Sequence, residues 1–542
     1  MEEYAVGFDF GSLSVRGLLV NVQTGEELCA AVYDYPHGIM SETLPDGTAI
    51  PQTFALQHPL DYLMGIAFCS KKLLRETGIA PEQIIGIGID STASTIMLVD
   101  DAGVPLCLKT EFQSNPQAWL KLWKHHGGNN QAKRLSEQAA RENTDWFRKY
   151  GGVISSEWFL PKAIELAETA PEVYQASSAI VEIGDWLAWV LTGKHIRSQP
   201  LAACNSCCRW DTGYPDSAFF RRVSAAAADL VEQKLSEPHK DLGEQIGMLT
   251  EDAAFCMGFK PDTPLAVPIV DSHASVCASG AQRAGDLVYI CGTSAVEIML
   301  TDKETAIPGI HINARNASIP GLFSLGAGQN SVGDLFSWFV DKMLPENFSK
   351  QLNGKNPFEK LNEKAVAIGQ GKSGLLTLDW WNGVRTPYFR FDLGGAILGL
   401  NIKTKPEQIW LSFLEAHAMN VRRCLRMFLD EGHAINRIYA TGGIANKNPL
   451  LMQILSDVLQ MEINVVKSHQ TAALGSAIFG ATASGKYTFT DLAEKMHSKV
   501  TQTYKPNKEN AGLYDRLFSA YCRLADEHQL GMELLTELAD NK

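Results

Sequence analysis

The sequence predicts an α/β protein made of two related halves. Three observations lead there. Two distant stretches read alike: Phe8-Asp9-Phe10-Gly11-Ser12-Leu13-Ser14-Val15 and Tyr289-Ile290-Cys291-Gly292-Thr293-Ser294-Ala295-Val296. Each is a β-run, a glycine, a hydroxyl residue and a second β-run, so each is expected to be a hairpin, repeated after about half the chain. Near the C-terminus a short β-run, Arg437 to Ala440, enters Thr441-Gly442-Gly443-Ile444-Ala445 and then a helical pattern, the strand–turn–helix order in which ligands meet strand ends. Finally, the 542 residues are 45% apolar and 20% charged, enough for substantial cores in more than one domain at roughly 150 residues per domain. We place the division at 1–284 and 285–542.

The elements follow in order. After the first hairpin, Gln23-Thr24-Gly25-Glu26 turns the chain. A second β-run, Ile84 to Asp90, continues through Ser91-Thr92-Ala93-Ser94-Thr95 into Ile96 to Asp100, and small residues at the bend suggest close backbone approach. From about Glu111 to Gln233 the chain reads as mostly helical and rich in tryptophan: Trp119, Trp123, Trp146, Trp158, Trp186, Trp189 and Trp210. Most of these rings are expected in the core. In the second half, Thr404 and Glu407 form a capping box with Pro406 in the first turn. Leu414, Ala418, Val421, Leu425 and Phe428 recur at helical spacing, and Gly432 ends the helix. Asn448 and Pro449 start another helix with Leu451, Leu455 and Val458 on one face. Thr471 to Ala477 is a small-residue helix start suited to close packing.

Composition excludes several classes. Acidic residues number 61 and basic ones 48, a net charge of −13, which disfavours a nucleic-acid binder but not a nucleotide site built from backbone N–H groups and a cation. No apolar run reaches the roughly 18 residues a membrane span needs, so no membrane partner is expected. Met1-Glu2-Glu3-Tyr4 does not resemble a secretory leader, and the 11 cysteines are thinly spread, so a cytoplasmic location is expected. Cys204, Cys207 and Cys208 cluster without a second ligand pair and read as semi-buried thiols rather than a zinc site.

The candidate chemistry sits at the turns. Glycine and hydroxyl residues at a hairpin tip, Gly11-Ser12 and Gly292-Thr293, offer N–H groups that can cradle phosphate. Asp9, inside a strand, makes sense beside phosphates if Mg²⁺ lies between them; a plain turn with a solvated Asp is the alternative. In Val270-Asp271-Ser272-His273-Ala274 a β-run delivers Asp271 to a helix start. The helix N-terminus is expected to lower its pKa and keep it ionised to accept a proton from an alcohol, although an N-cap Asp reads the same way. His273 is the second candidate base, ranked lower because it faces away if Asp271 faces the site. Gly442-Gly443 leaves room for a flat ring, or is only a tight turn.

Taken together, these residues resemble the FGGY carbohydrate kinases, a branch of the actin/hexokinase/Hsp70 superfamily, and within it the ribulokinase branch. The resemblance spans nearly the whole chain. It rests on Gly7-Phe8-Asp9-Phe10-Gly11-Ser12, Gly88-Ile89-Asp90-Ser91-Thr92, Leu122-Trp123-Lys124-His125-His126, Gly151-Gly152-Val153-Ile154, Pro161-Lys162, Gly184-Asp185-Trp186-Leu187, Val270-Asp271-Ser272-His273-Ala274, Gly328-Gln329-Asn330-Ser331, Asp379-Trp380-Trp381-Asn382-Gly383 and Thr441-Gly442-Gly443. It implies two actin-like (ribonuclease H-like) domains closing a central cleft on a sugar and Mg²⁺-ATP. The N-terminal domain would bind sugar and carry the base, and the C-terminal domain would bind nucleotide. By the same resemblance Asp271 is the general base and Asp9 the Mg²⁺-associated carboxylate. Gly11, Ser12, Gly292 and Thr293 hold phosphate, Gly442, Gly443 and Asn446 line the adenine side, and Trp123, Asp271 and Gln329 contact the sugar. Two positions depart from the ribulokinase pattern: Cys207 stands where a Lys is expected and Gly326 where a Glu is expected, with Arg209 a candidate to reach in for the lost Lys. The implied activity is ATP-dependent phosphorylation of a ketose, ribulose first. A kinase for another pentulose, hexulose or polyol, and a silent sugar- or nucleotide-binding protein, are the alternatives. A homodimer is considered, but no residue pattern fixes it.

Overall fold

The computed structural model describes residues 2–350, 352 and 354–540. The chain divides into two compact units, 1–284 with 300–325 and 470–498, and 285–299 with 326–469 and 499–542. A single cut at 284/285 therefore describes the chain only in part, because two later segments return to the first unit.

The first unit is built on a mixed sheet. Its strands run in the order Gln245–Met248, Pro264–Ala266, Ile84–Ser91, Tyr4–Phe10, Ser14–Asn21, Glu27–Asp34, and Ile269–Val270 also pairs with Ile84–Ser91. Tyr4–Phe10 and Ser14–Asn21 form the expected antiparallel hairpin, with Phe10 opposite Val15, while Ile84–Ser91 lies parallel to the first strand with Asp90 beside Asp9. The period-two alternation of a strand puts Gly7 and Gly17 on opposite faces. Gly17 meets Leu73 and Cys69 of helix Pro59–Thr77. Gly7 meets helix Thr471–Ala483, where an added Cβ would lie 1.8 Å from the Ala473 carbonyl oxygen.

The same helix passes over Gly86 and Gly88, whose Cβ atoms would lie 1.9 and 1.8 Å from the carbonyl oxygens of Gly480 and Ser476. Its own Gly475 admits the Ala274 carbonyl of helix Asp271–Ala278, at 2.0 Å from an added Cβ. The small residues of Thr471 to Ala477 and of Gly86-Ile87-Gly88 are therefore one device: backbone packed on backbone, with no room for side chains. This packing is what draws 470–498 into the first unit.

The tryptophan-rich region is helical in short pieces, including Asn129–Arg141, Phe159–Thr169 and Ile183–Thr192. A small sheet ordered Leu56–Gln57, Leu120–Lys121, Ile96–Val99, Ala179–Glu182 joins them. Trp119, Trp158 and Trp186 are core residues, whereas Trp210 is exposed.

The second unit repeats the plan. Asp286–Cys291 and Ala295–Thr301 form the second hairpin, with Cys291 opposite Ala295, and Arg437–Thr441 lies parallel to Asp286–Cys291. The tips match in length: residues 11–13 separate the first pair of strands and 292–294 the second. Helix Pro406–Asp430 buries Leu414, Ala418, Val421, Leu425 and Phe428 as expected, and Gly432 follows with a left-handed φ of 81°. Its start differs from the Thr404/Glu407 box. Lys405 is the cap, its N–H donating to Gln408 Oε1, while Thr404 Oγ1 accepts from Asn401 N–H. The reason is Pro406, which fixes the first helical residue and so moves the cap one position along. Asn448 caps Pro449–Leu459 by accepting from Leu451 N–H.

Candidate functional site

In the first unit the sheet gathers three carboxylates. Asp9 and Asp90 are register partners near the ends of parallel strands, and Ile269, two residues before Asp271, is the partner of Asp90 on its other side. Asp271 is the first residue of helix Asp271–Ala278 and accepts its neighbour Ser272 N–H at 2.6 Å. The helix N-terminus does not lower its pKa. Burial, with the Asp9 charge added, pushes the carboxyl up to about 7, outweighing the one backbone hydrogen bond and Arg16.

Arg16 donates to Asp9 Oδ2 at 3.1 Å. Asp90 is fully buried and pushed far above the carboxylate range by burial and by Asp9; Ser476 donates to one of its oxygens at 2.6 Å, while the other, Oδ1, is buried without a hydrogen-bond partner. His273 points into the core, against Cys204 Sγ (3.1 Å) and Ser318 Oγ (2.6 Å), and burial lowers it to about 4. Asp271 is the member of the pair with some access left.

The hairpin tip is held from two sides. Gln57 Nε2 donates to the Ser12 carbonyl at 2.8 Å, and the Trp123 indole N–H donates to Ser12 Oγ at 3.0 Å. Trp123 is held in turn by Lys162. This lysine is fully buried, and its Nζ donates to the carbonyls of Ser94 (2.8 Å), Leu122 (2.8 Å) and Trp123 (3.3 Å). Burial lowers its pKa to about 7.

In the second unit the turns at Gly292 and Gly442 meet. Gly292 N–H donates to the Ser294 carbonyl, closing the tip, and Gly333 N–H donates to the Gly292 carbonyl at 3.1 Å. Gly442 has φ of 98°, and a Cβ there would lie 2.3 Å from the Cys291 carbonyl oxygen, so glycine is required for the two turns to touch. A Cβ on Gly443 would meet nothing within 4 Å. Asn446 donates from its side chain to the Gly442 carbonyl at 3.2 Å, and Thr293 is exposed at the tip. Gln329 is buried; its Nε2 donates to Glu297 Oε2 at 3.2 Å, and its Oε1 is buried without a partner. Burial pushes Glu297 up to about 8.

Models of the FGGY family of carbohydrate kinases match this chain twice, the N-terminal domain over residues 4–278 and the C-terminal domain over 287–484. The chain belongs to the FGGY family of carbohydrate kinases. It is 40% identical over 520 residues to a ribulokinase of Bacillus licheniformis, covering 94% of each chain. It is 38% identical over 533 residues to a ribulokinase of Geobacillus thermodenitrificans, covering 97% of this chain and 94% of that one. The crystal structure of a xylulose kinase from Rhodospirillum rubrum shares the fold, with a TM-score of 0.80 at 19% identity over 98% of this chain and 100% of the other. The protein is thus a ribulokinase-like sugar kinase that uses ATP, with two sheet-based domains. No helix among the described residues is long and apolar enough to cross a membrane.

Within this FGGY kinase the two departures have different surroundings. Cys207 has a left-handed φ of 55° and is buried in an apolar cluster with Tyr150, Trp158 and Phe220. Gly326 lies within the buried strand Phe323–Gln329. Arg209 does not stand in for the missing Lys: its guanidinium is taken by Glu304 (2.6 Å) and Asp211 (2.7 Å). Sequence reasoning gave no role to Asp90, Arg16, Lys162 or Glu297, which the structure sets against the candidate residues Asp9, Trp123 and Gln329. Asp90 and Lys162 both stood in the motifs that carry the resemblance, but the contacts that give them a part, Asp9 beside Asp90 and the distant carbonyls around Lys162, come only from the fold.

Proposed function

We propose that this kinase transfers the γ-phosphoryl group of ATP to the terminal hydroxyl of a ketopentose, ribulose before others, with Asp271 as general base. The observation that carries the assignment is Asp271 itself: a largely buried carboxyl, with some access left, at a strand-to-helix junction, held near neutrality by burial and Asp9. A base poised near the working pH accepts an alcohol proton while remaining unprotonated in a useful fraction of molecules. The whole-length similarity to ribulokinases supports ribulose as the first acceptor.

Asp9, near the end of its strand, paired with Arg16 and beside Asp90 in the register, is the residue proposed to hold Mg²⁺. When bound, Mg²⁺ supplies neutralisation of phosphate charge. Gly11 and Ser12 present the first tip to the phosphates, fixed by Gln57 and Trp123, and Gly292 and Thr293 present the second. Gly443, with open space above it and Asn446 beside it, faces adenine. Trp123 and Gln329 are the proposed sugar contacts.

A second reading, a different ketose or a polyol, is favoured by Cys207 and Gly326. Neither can give the charged hydrogen bond expected at its position, a loss of roughly 1.5–3 kcal/mol for each contact. Assaying ADP release over a panel of ketopentoses, ketohexoses and polyols separates the two. Highest kcat/KM with ribulose is expected, and a clear preference for another sugar overturns the ribulose assignment.

A further inference from the structure

Apart from the site already described, one cluster of side chains has the composition of a metal site. His37, His58 and Asp61 each offer a ligand atom, and the three atoms lie within 4.8 Å of one another. His58 caps helix Pro59–Thr77 and Asp61 stands in its first turn, a spacing of three that puts both on one side of the helix start. His37 comes from the turn after strand Glu27–Asp34 and is exposed, so an ion can reach the cluster from solvent.

The three groups are already in contact. His37 Nδ1 and Asp61 Oδ1 are hydrogen-bonded at 2.8 Å; two ligands of a tetrahedral ion at about 2.0–2.2 Å stand about 3.3–3.6 Å apart, so the ion widens this pair on binding. The other oxygen, Oδ2, accepts the His37 backbone N–H at 3.1 Å, which fixes the carboxylate. The His37 and His58 rings are stacked face to face with centroids 4.2 Å apart and planes 15° from parallel, so the exposed His37 ring must swing out of the stack for both rings to aim a lone pair at one ion.

We propose that His37, His58 and Asp61 form a second cation site that takes a borderline divalent transition ion of the Zn²⁺ class. Two imidazoles and one carboxylate are an N₂O set, which suits zinc, cobalt or nickel and does not suit Mg²⁺ or Ca²⁺, which prefer all-oxygen shells. On binding, the proton between His37 Nδ1 and Asp61 Oδ1 moves to His37 Nε2, leaving Nδ1 and Oδ1 free for the ion. At His58 the ion takes one ring nitrogen; Nδ1 now accepts Leu60 N–H at a long 3.3 Å. Three protein donors leave a position for water, so the ion exchanges rather than being locked in.

The site adjoins the phosphate tip through one residue. Gln57 precedes His58, donates to the Ser12 carbonyl and accepts from Tyr62 OH at 2.6 Å. An ion on His58 stiffens the segment that holds Ser12.

Titrating the full-length protein with Co²⁺ tests the site. Weak visible bands at one equivalent, without the near-ultraviolet thiolate bands that any of the 11 cysteines would give, are expected. Zn²⁺ competed against a chromogenic chelator should bind at least tenfold more weakly in His37→Ala, and excess Mg²⁺ should not displace it. Zn²⁺ should also raise the Tm of the natural protein and not that of His37→Ala. His37→Ala removes an exposed side chain, and Asp61→Asn is the second variant. Thiolate bands at the first equivalent, equal Zn²⁺ affinity in both variants and the natural protein, or displacement by Mg²⁺ would overturn the proposal.

Discussion

At the scale of single residues, the site depends on where burial leaves charge. Asp271 is pushed up to about 7, so kcat/KM should fall about tenfold per unit as the pH drops below that value and the base becomes protonated. Asp271→Asn should lower kcat by roughly 10²–10⁴-fold, keep nucleotide affinity, and lack this acid limb in its residual rate. Near-normal kcat in the variant would remove Asp271 from the role. The raised value also costs stability. Between the ordinary carboxylate range and about 7, the folded protein holds a proton that the unfolded chain has lost, so stability falls as pH rises through that window. Asp271→Asn should therefore unfold at a higher temperature than the natural protein at pH 8, as followed by circular dichroism.

Lys162 makes a different argument. Its Nζ makes three hydrogen bonds from helix Phe159–Thr169 to the carbonyls of Ser94, Leu122 and Trp123. Lys162→Met keeps the volume and removes the donor; Leu122 keeps the His125 N–H, while the Ser94 and Trp123 carbonyls lose this partner at about 1–3 kcal/mol for each that water cannot reach. Sugar KM should rise more than ATP KM, because Trp123 loses its backbone anchor while the second unit is untouched. Equal changes in both would mean that Lys162 supports only the fold.

At the scale of elements, the glycines separate packing from binding. Gly88→Ala forces a Cβ to 1.8 Å from the Ser476 carbonyl, where only movement of the helix can relieve it, and should cost upward of about 1–3 kcal/mol in denaturant unfolding. Gly443→Ala meets nothing within 4 Å and should leave the Tm unchanged. If adenine lies over it, the same change raises ATP KM, and an unaltered KM would move the nucleotide elsewhere. Element types were legible where the period was clean, as in the two hairpins and the face Leu414, Ala418, Val421, Leu425, Phe428. The start of that last helix was misplaced because Thr404, Lys405, Glu407 and Gln408 offer two overlapping caps. Only the position of Pro406 in the folded chain chooses between them.

At the scale of the molecule, the first unit is closed by a segment some two hundred residues beyond its apparent end. Residues 1–284 expressed alone lack helix Thr471–Ala483 and expose Gly7, Gly86 and Gly88. Such a fragment should be insoluble or show no cooperative thermal transition, and a soluble fragment with native-like melting would contradict this packing.

The sequence by itself determined the α/β class, the paired hairpins with their glycine-hydroxyl tips, and the family, because these depend on local turn chemistry and on motifs in fixed order. Composition also set the acidic net charge that weighs against nucleic acid. Only the tertiary structure decided that Asp271 titrates near neutrality rather than low, since burial and Asp9 act through space while the helix N-terminus acts locally. It also decided that Cys207 faces an apolar cluster, that Arg209 is committed to Glu304 and Asp211, and that Lys162 anchors Trp123. Each of these depends on contacts between residues far apart in the chain, which no local pattern encodes.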